Sequence, residues 1–151
     1  MQVKKINHVL DWTVEFHNRL AANFEQLGLS SDKRCAMLLD YLSGYEGKLA
    51  ADVASFKILT SSNALNTWCY EYFAENPELI DFESLSADMA HDEQQVQNYL
   101  AKKHQQVIDL YQYLTERAEI EDCKDVLSQI LLTEQNALQQ MMQSANRLKD
   151  V

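Results

Sequence analysis

Glycine and proline are nearly missing from this chain, with three and one among 151 residues. Both residues build tight turns and hairpins, so a fold of many reversals is excluded and a few long segments remain. Basic residues are also scarce: 13 Lys and Arg stand against 23 Asp and Glu, a formal charge of −10. No nucleic-acid partner is expected, because phosphate backbones are held mainly by clustered Lys and Arg. No stretch approaches the ~20 apolar residues that cross a bilayer, and the polar start, Met1 to His8, does not resemble a secretory leader. The three cysteines, Cys35, Cys69 and Cys123, are odd in number, far apart and without Cys-x-x-Cys spacing. They read as reduced, mostly buried thiols of a cytoplasmic protein with no zinc knuckle and no membrane association.

What is abundant is Leu, Ala, Gln, Glu and Met, the residues of long helices, at a length that suits a single domain over 1–151. Ile6, Val9, Leu10, Thr13, Phe16, His17, Leu20, Phe24 and Leu27 recur at helical spacing, predicting a helix from residue 3 to Gly28, with Gly28 as its C-terminal cap. Ser30 or Ser31 is the expected N-cap of a second helix with Cys35, Leu38, Leu42, Tyr45 or Glu46, Leu49, Val53 and Phe56 inside. A third helix is expected to start at Ser84 or Ser86, carry Met89, Val96, Leu100, His104, Val107, Tyr111 and Leu114 inward, and end near Ala118. The fourth starts at Glu121 and Asp122 and carries Val126, Leu127, Ile130, Leu131, Glu134, Leu138, Met141, Ala145 and Leu148.

Short links join the first helix to the second and the third to the fourth, whereas a long segment with a short aromatic helix, Asn63 to Ala74, separates the second from the third. An up-down-up-down bundle needs only a few residues there; a connection that traverses a helix ~40 Å long needs many. The expected architecture is therefore all-α, a four-helix bundle with one long crossover.

His17, Glu46, His104 and Glu134 lie at comparable distances from the two short turns, one on the apolar stripe of each helix. They should share a middle layer. Buried carboxylates cost several kcal/mol unless paired or bound to a cation. Two readings stand open. Imidazole and carboxylate together suit one transition-metal ion, Fe, Mn or Zn; alternatively each His pairs with a Glu and no cation is held.

With its helix lengths, crossover and mid-helix Glu46 and Glu134, the chain resembles the ferritin-like superfamily, including rubrerythrin-like proteins, over nearly its whole length. The resemblance implies a carboxylate di-iron site with Glu on the first and third helices and Glu-x-x-His on the second and fourth. Here Glu46-Gly47-Lys48-Leu49 and Glu134-Gln135-Asn136-Ala137 keep the Glu and lack the His, and His17 and His104 occupy the layers of the other two Glu. Glu15 is turned about 200° from His17 at 100° per residue, so it cannot face inward with it. The implied site is a degenerate one.

Gly44 and Gly47 flank Glu46; close helix packing is the commoner reason for such glycines and room for a ligand the rarer. Tyr41, Tyr45, Tyr111 and Tyr113 read as core or boundary residues, and His8 and His91 as exposed. Trp68, Tyr70, Tyr72 and Phe73 either plaster the crossover onto the bundle or form a patch for a partner, a homodimer included. The glutamines, Gln94, Gln95 and Gln97 with Gln139, Gln140 and Gln143, read as solvated faces. No nucleophile arrangement, phosphate loop or dinucleotide fingerprint is present. Two functions remain: a bundle holding one metal ion through His17, Glu46, His104 and Glu134, or a metal-free bundle serving as a scaffold or dimerising protein.

Overall fold

A computed structural model describes residues 6–59, 68–119 and 121–149, all helix and connecting turns with no strand among the described residues. The long helices are α1 (Ile6–Gly28), α2 (Lys33–Leu59), α4 (Glu93–Arg117) and α5 (Glu121–Lys149). Between α2 and α4 lie α3 (Trp68–Glu75) and two 3₁₀ turns, Pro77–Leu79 and Met89–His91. The expected helix Asn63 to Ala74 matches α3 at its end; its start lies outside the described residues.

Local chemistry sets the helix starts. Asp32 accepts the Cys35 amide at 2.9 Å, and Asp92 accepts the amides of Gln94 and Gln95 while Gln95 Nε2 donates back to it. These aspartates, rather than Ser30, Ser31, Ser84 or Ser86, cap α2 and α4. Residues 84–88 lie outside any helix and Met89 sits in a 3₁₀ turn, so α4 is shorter at its start than the apolar spacing suggests. Gly28 is not a left-handed cap either, since no described residue has positive φ. It ends α1 as an ordinary helical residue, where an added Cβ would stand 3.0 Å from Asp40 Oδ1.

Helix directions follow from contacts at one end of the bundle. Arg34, at the start of α2, pairs with Glu93, at the start of α4, at 3.0 Å, and donates to the carbonyl of Leu148 near the end of α5. Hence α2 and α4 are parallel, and α1 and α5 run against them. The crossover must traverse the bundle to achieve this, and it does so along α1. Leu79 accepts from Trp12 Nε1 at 3.2 Å, Phe82 meets Phe16 with ring centres 5.4 Å apart, and the Leu85 amide donates to Asn23 Oδ1 at 2.8 Å.

One apolar core runs through all four long helices, with Leu10, Leu20, Phe24, Leu38, Leu39, Leu42, Leu49, Leu100, Leu110, Tyr111 and Leu114 fully enclosed. On α2 the choice between Tyr45 and Glu46 resolves in favour of Glu46; Tyr45 stays at the boundary. Gln97 departs from the expected solvated face: it is buried and donates to Asn146 on α5, while Gln94, Gln95, Gln139, Gln140 and Gln143 are exposed. Phe73 is buried edge-on against Trp12, and Tyr72 meets Tyr113 at 4.5 Å, so this part of the crossover is laid onto the bundle. The side chains of Trp68 and Tyr70 lie outside the described residues.

Candidate functional site

Helical periodicity carries His17, Glu46, His104 and Glu134 to the same side as their apolar neighbours, and the structure brings all four together at zero exposure. They alternate around a ring. His17 Nδ1 lies 2.8 Å from Glu46 Oε1 and His17 Nε2 lies 2.7 Å from Glu134 Oε1. His104 Nε2 lies 2.5 Å from Glu46 Oε2. The fourth edge is open: His104 Nδ1 and Glu134 Oε2 face each other at 3.7 Å, and neither has a hydrogen-bond partner.

Proton positions follow from this pattern. Both nitrogens of His17 face carboxylate oxygens, and only the imidazolium donates through both. Burial opposes that charge, but the charge and hydrogen bond of Glu134, joined by those of Glu46, outweigh it and raise His17 to about 10. Burial likewise opposes the Glu46 carboxylate, and the charge and hydrogen bonds of His104 and His17 overcome it, lowering Glu46 to about 2. The 2.5 Å bond to Glu46 requires a proton on His104 Nε2. That leaves His104 Nδ1 and Glu134 Oε2 unsatisfied in a place sealed from water, which is costly for buried polar atoms.

The two carboxylates are thus unlike. Glu46 accepts from one nitrogen of each imidazole, while the opposite nitrogens both turn toward Glu134. The three groups whose ligand atoms lie close enough to surround one ion, within 4.8 Å of one another, are His17, His104 and Glu134. Glu46, expected as a fourth ligand, holds the outer nitrogens instead. An ion bound to imidazole at ~2.1 Å and carboxylate at ~2.1 Å sets a tetrahedral N···O separation of ~3.4 Å. The open edge is near that span, and two imidazoles with a carboxylate are donors that suit a transition metal.

Leu49 and Ala137, where the Glu-x-x-His pattern would place histidines, are buried beside the ring at 2% and 3% exposure. Those positions therefore point inward but offer no donor. Glu15 is exposed, as its helical angle requires. On α1 and α4 a second buried polar pair accompanies the histidines: Thr13 Oγ1 and the Tyr111 hydroxyl are 2.7 Å apart, and because Thr13 already donates to the Val9 carbonyl, Tyr111 donates to it. Both residues were legible as inward-facing, but their pairing was not. Gly44 and Gly47 do not admit a close helix, since a Cβ on either would meet nothing within 4 Å. His8 and His91 are exposed; Cys35 and Cys123 are buried and unbridged, burial pushing the Cys35 thiol up to about 11. Compared with protein-family models, with curated proteins and with solved structures, the chain matches none.

Proposed function

We propose that the chain is a ferritin-like helical bundle whose central layer binds one transition-metal ion, Fe, Mn or Zn, through His17, His104 and Glu134. The observation that carries this reading is the open edge of the ring, where buried His104 Nδ1 and Glu134 Oε2 face each other at 3.7 Å and neither has a hydrogen-bond partner. A cation on that edge would give both atoms a partner. Glu46 supplies the support that metal-binding histidines need, accepting from the nitrogen of each ring that turns away from Glu134 and thereby selecting both tautomers. The parallel α2 and α4, the long crossover, and Glu46 and Glu134 near mid-helix support the ferritin-like reading.

Binding requires His17 Nε2 to give up its proton, so affinity rises with pH across the range in which His17 is otherwise protonated. A bound ion would supply Lewis-acid chemistry, and Fe or Mn redox chemistry as well. Protein purified without chelator or affinity tag should retain about one equivalent of metal by elemental analysis. His104→Ala and Glu134→Ala should lose it, and Glu46→Gln should weaken it ~10- to 100-fold.

A second reading rests on the other three edges. Their direct contacts of 2.5–2.8 Å make the layer a self-contained ionic network, and the protein a metal-free scaffold or dimerising partner. Absence of retained metal, together with equal uptake of Zn²⁺, Mn²⁺ and Fe²⁺ by wild type and His104→Ala, would select it.

A further inference from the structure

Lys103 is the most deeply buried lysine that the structure describes, at 3% exposure, yet it makes no hydrogen bond or ion pair among the described residues. Its ammonium lies 4.5 Å from the centre of the Phe82 ring and 5.6 Å from that of Tyr99. Aromatic faces attract a cation but accept none of its three N–H donors.

Lys103 lines a cleft of about 330 Å³ between the crossover and α4, together with Glu83, Ser84, Met89, Gln95, Asn98, Tyr99 and Lys102. Three of its polar groups, Lys103, Lys102 and Asn98, have donors not taken up by the described residues. Asn98 uses its carbonyl oxygen to accept from Gln94, which leaves its amide N–H groups over. Lys102 makes no described ion pair, and the Tyr99 hydroxyl is committed to the Glu83 carbonyl at 2.6 Å. Two ammoniums against the single Glu83 carboxylate leave one net positive charge in a chain of net charge −10. Met89 and the Tyr99 ring supply an apolar wall.

We infer that this cleft is a binding site for a small organic carboxylate, whose oxygens are received by Lys103, Lys102 and Asn98 and whose hydrocarbon part lies against Met89 and Tyr99. One net positive charge matches one carboxylate. The cleft is at the small end of the range for ligand pockets and admits a small organic molecule, and the ring at mid-bundle takes no part, so the site stands whether or not metal is bound there.

Butyrate and its neutral isostere butyramide separate charge from shape. In ¹⁵N-resolved NMR titrations of the full chain, butyrate should shift the amides of 83–89 and 95–103 saturably, and butyramide should not. Lys103→Met should weaken butyrate at least about tenfold, as loss of a charge-assisted hydrogen bond does. Because Lys103 is buried, the exposed variants Lys102→Met and Asn98→Ala serve as controls that leave the fold intact, and each should weaken binding severalfold. Equal shifts with butyramide, tighter binding of inorganic phosphate, or no saturable shift by about 10 mM butyrate would each overturn the assignment.

Discussion

Helices α1 and α4 meet twice, at neighbouring residues and by opposite means. Inside, His17 and His104 are joined through the carboxylates of Glu46 and Glu134 with no exposure at all. Toward the surface, Arg19 and Lys103 share the Phe82 ring of the crossover at 4.9 and 4.5 Å. The imidazoles in the core are matched by carboxylates, whereas Lys103, buried at the wall of a cleft, and the exposed Arg19 have an aromatic face. The interior junction is therefore exacting and specific, whereas the outer one is weaker and tolerant.

The largest break should come from the interior junction. In metal-free protein, Glu134→Ala leaves His17 buried without half its compensation and should cost about 3–5 kcal/mol in urea unfolding, as removal of one partner from a buried ionic network does. Replacing the whole layer, His17→Leu with Glu46→Met, His104→Leu and Glu134→Met, should instead be neutral or stabilising by about 1–4 kcal/mol, while abolishing metal uptake.

The same junction gives the metal-free protein a pH profile. His17 is raised from 6.5 to about 10, so its contribution is complete below pH 6.5 and declines as pH rises toward 10. Glu46 is lowered from 4.5 to about 2, so its contribution is complete above pH 4.5 and is lost as pH falls toward 2. Thermal unfolding without metal should show the highest contribution of the layer between pH 4.5 and 6.5. Added Zn²⁺ should move the optimum upward, because the ion takes the place of the His17 proton.

Breaking the outer junction should matter less. Phe82→Ala removes the contact with Phe16 and the ring shared by Arg19 and Lys103, at a cost of about 2 kcal/mol for a half-buried aromatic. Phe82→Leu, which keeps most of the apolar area, should cost about 1 kcal/mol. The smallest effect should come from a place outside both junctions. Gly44→Ala and Gly47→Ala fill open space in mid-helix and should each stabilise by about 0.5–1 kcal/mol.

Much of the candidate site was legible because a bundle converts sequence distance into height. Counting from the two short turns placed His17, Glu46, His104 and Glu134 in one layer, and their apolar neighbours at three- and four-residue spacing turned them inward. The inequality of the two glutamates was not legible. Which imidazole nitrogen faces which carboxylate depends on helix rotation and side-chain torsion, and periodicity resolves neither. The fourth long helix begins at Glu121 as expected, but the caps of α2 and α4 differ for a local reason: Ser30, Ser31, Ser84 and Ser86 are themselves good caps, and only the backbone path shows that Asp32 and Asp92 take the role.

Alternation of apolar and polar residues at a period of 3.6, with so little Gly and Pro, determined that this chain is helical, where its inner stripes lie and which four polar residues they carry inward. Tertiary structure alone decided that Lys103 and Gln97 are buried and that a cleft lined with donors exists. The physical reason is that a stripe pattern reports only the face one helix turns to the core, whereas α4 is covered a second time by the crossover, whose path is set by contacts far apart in the chain.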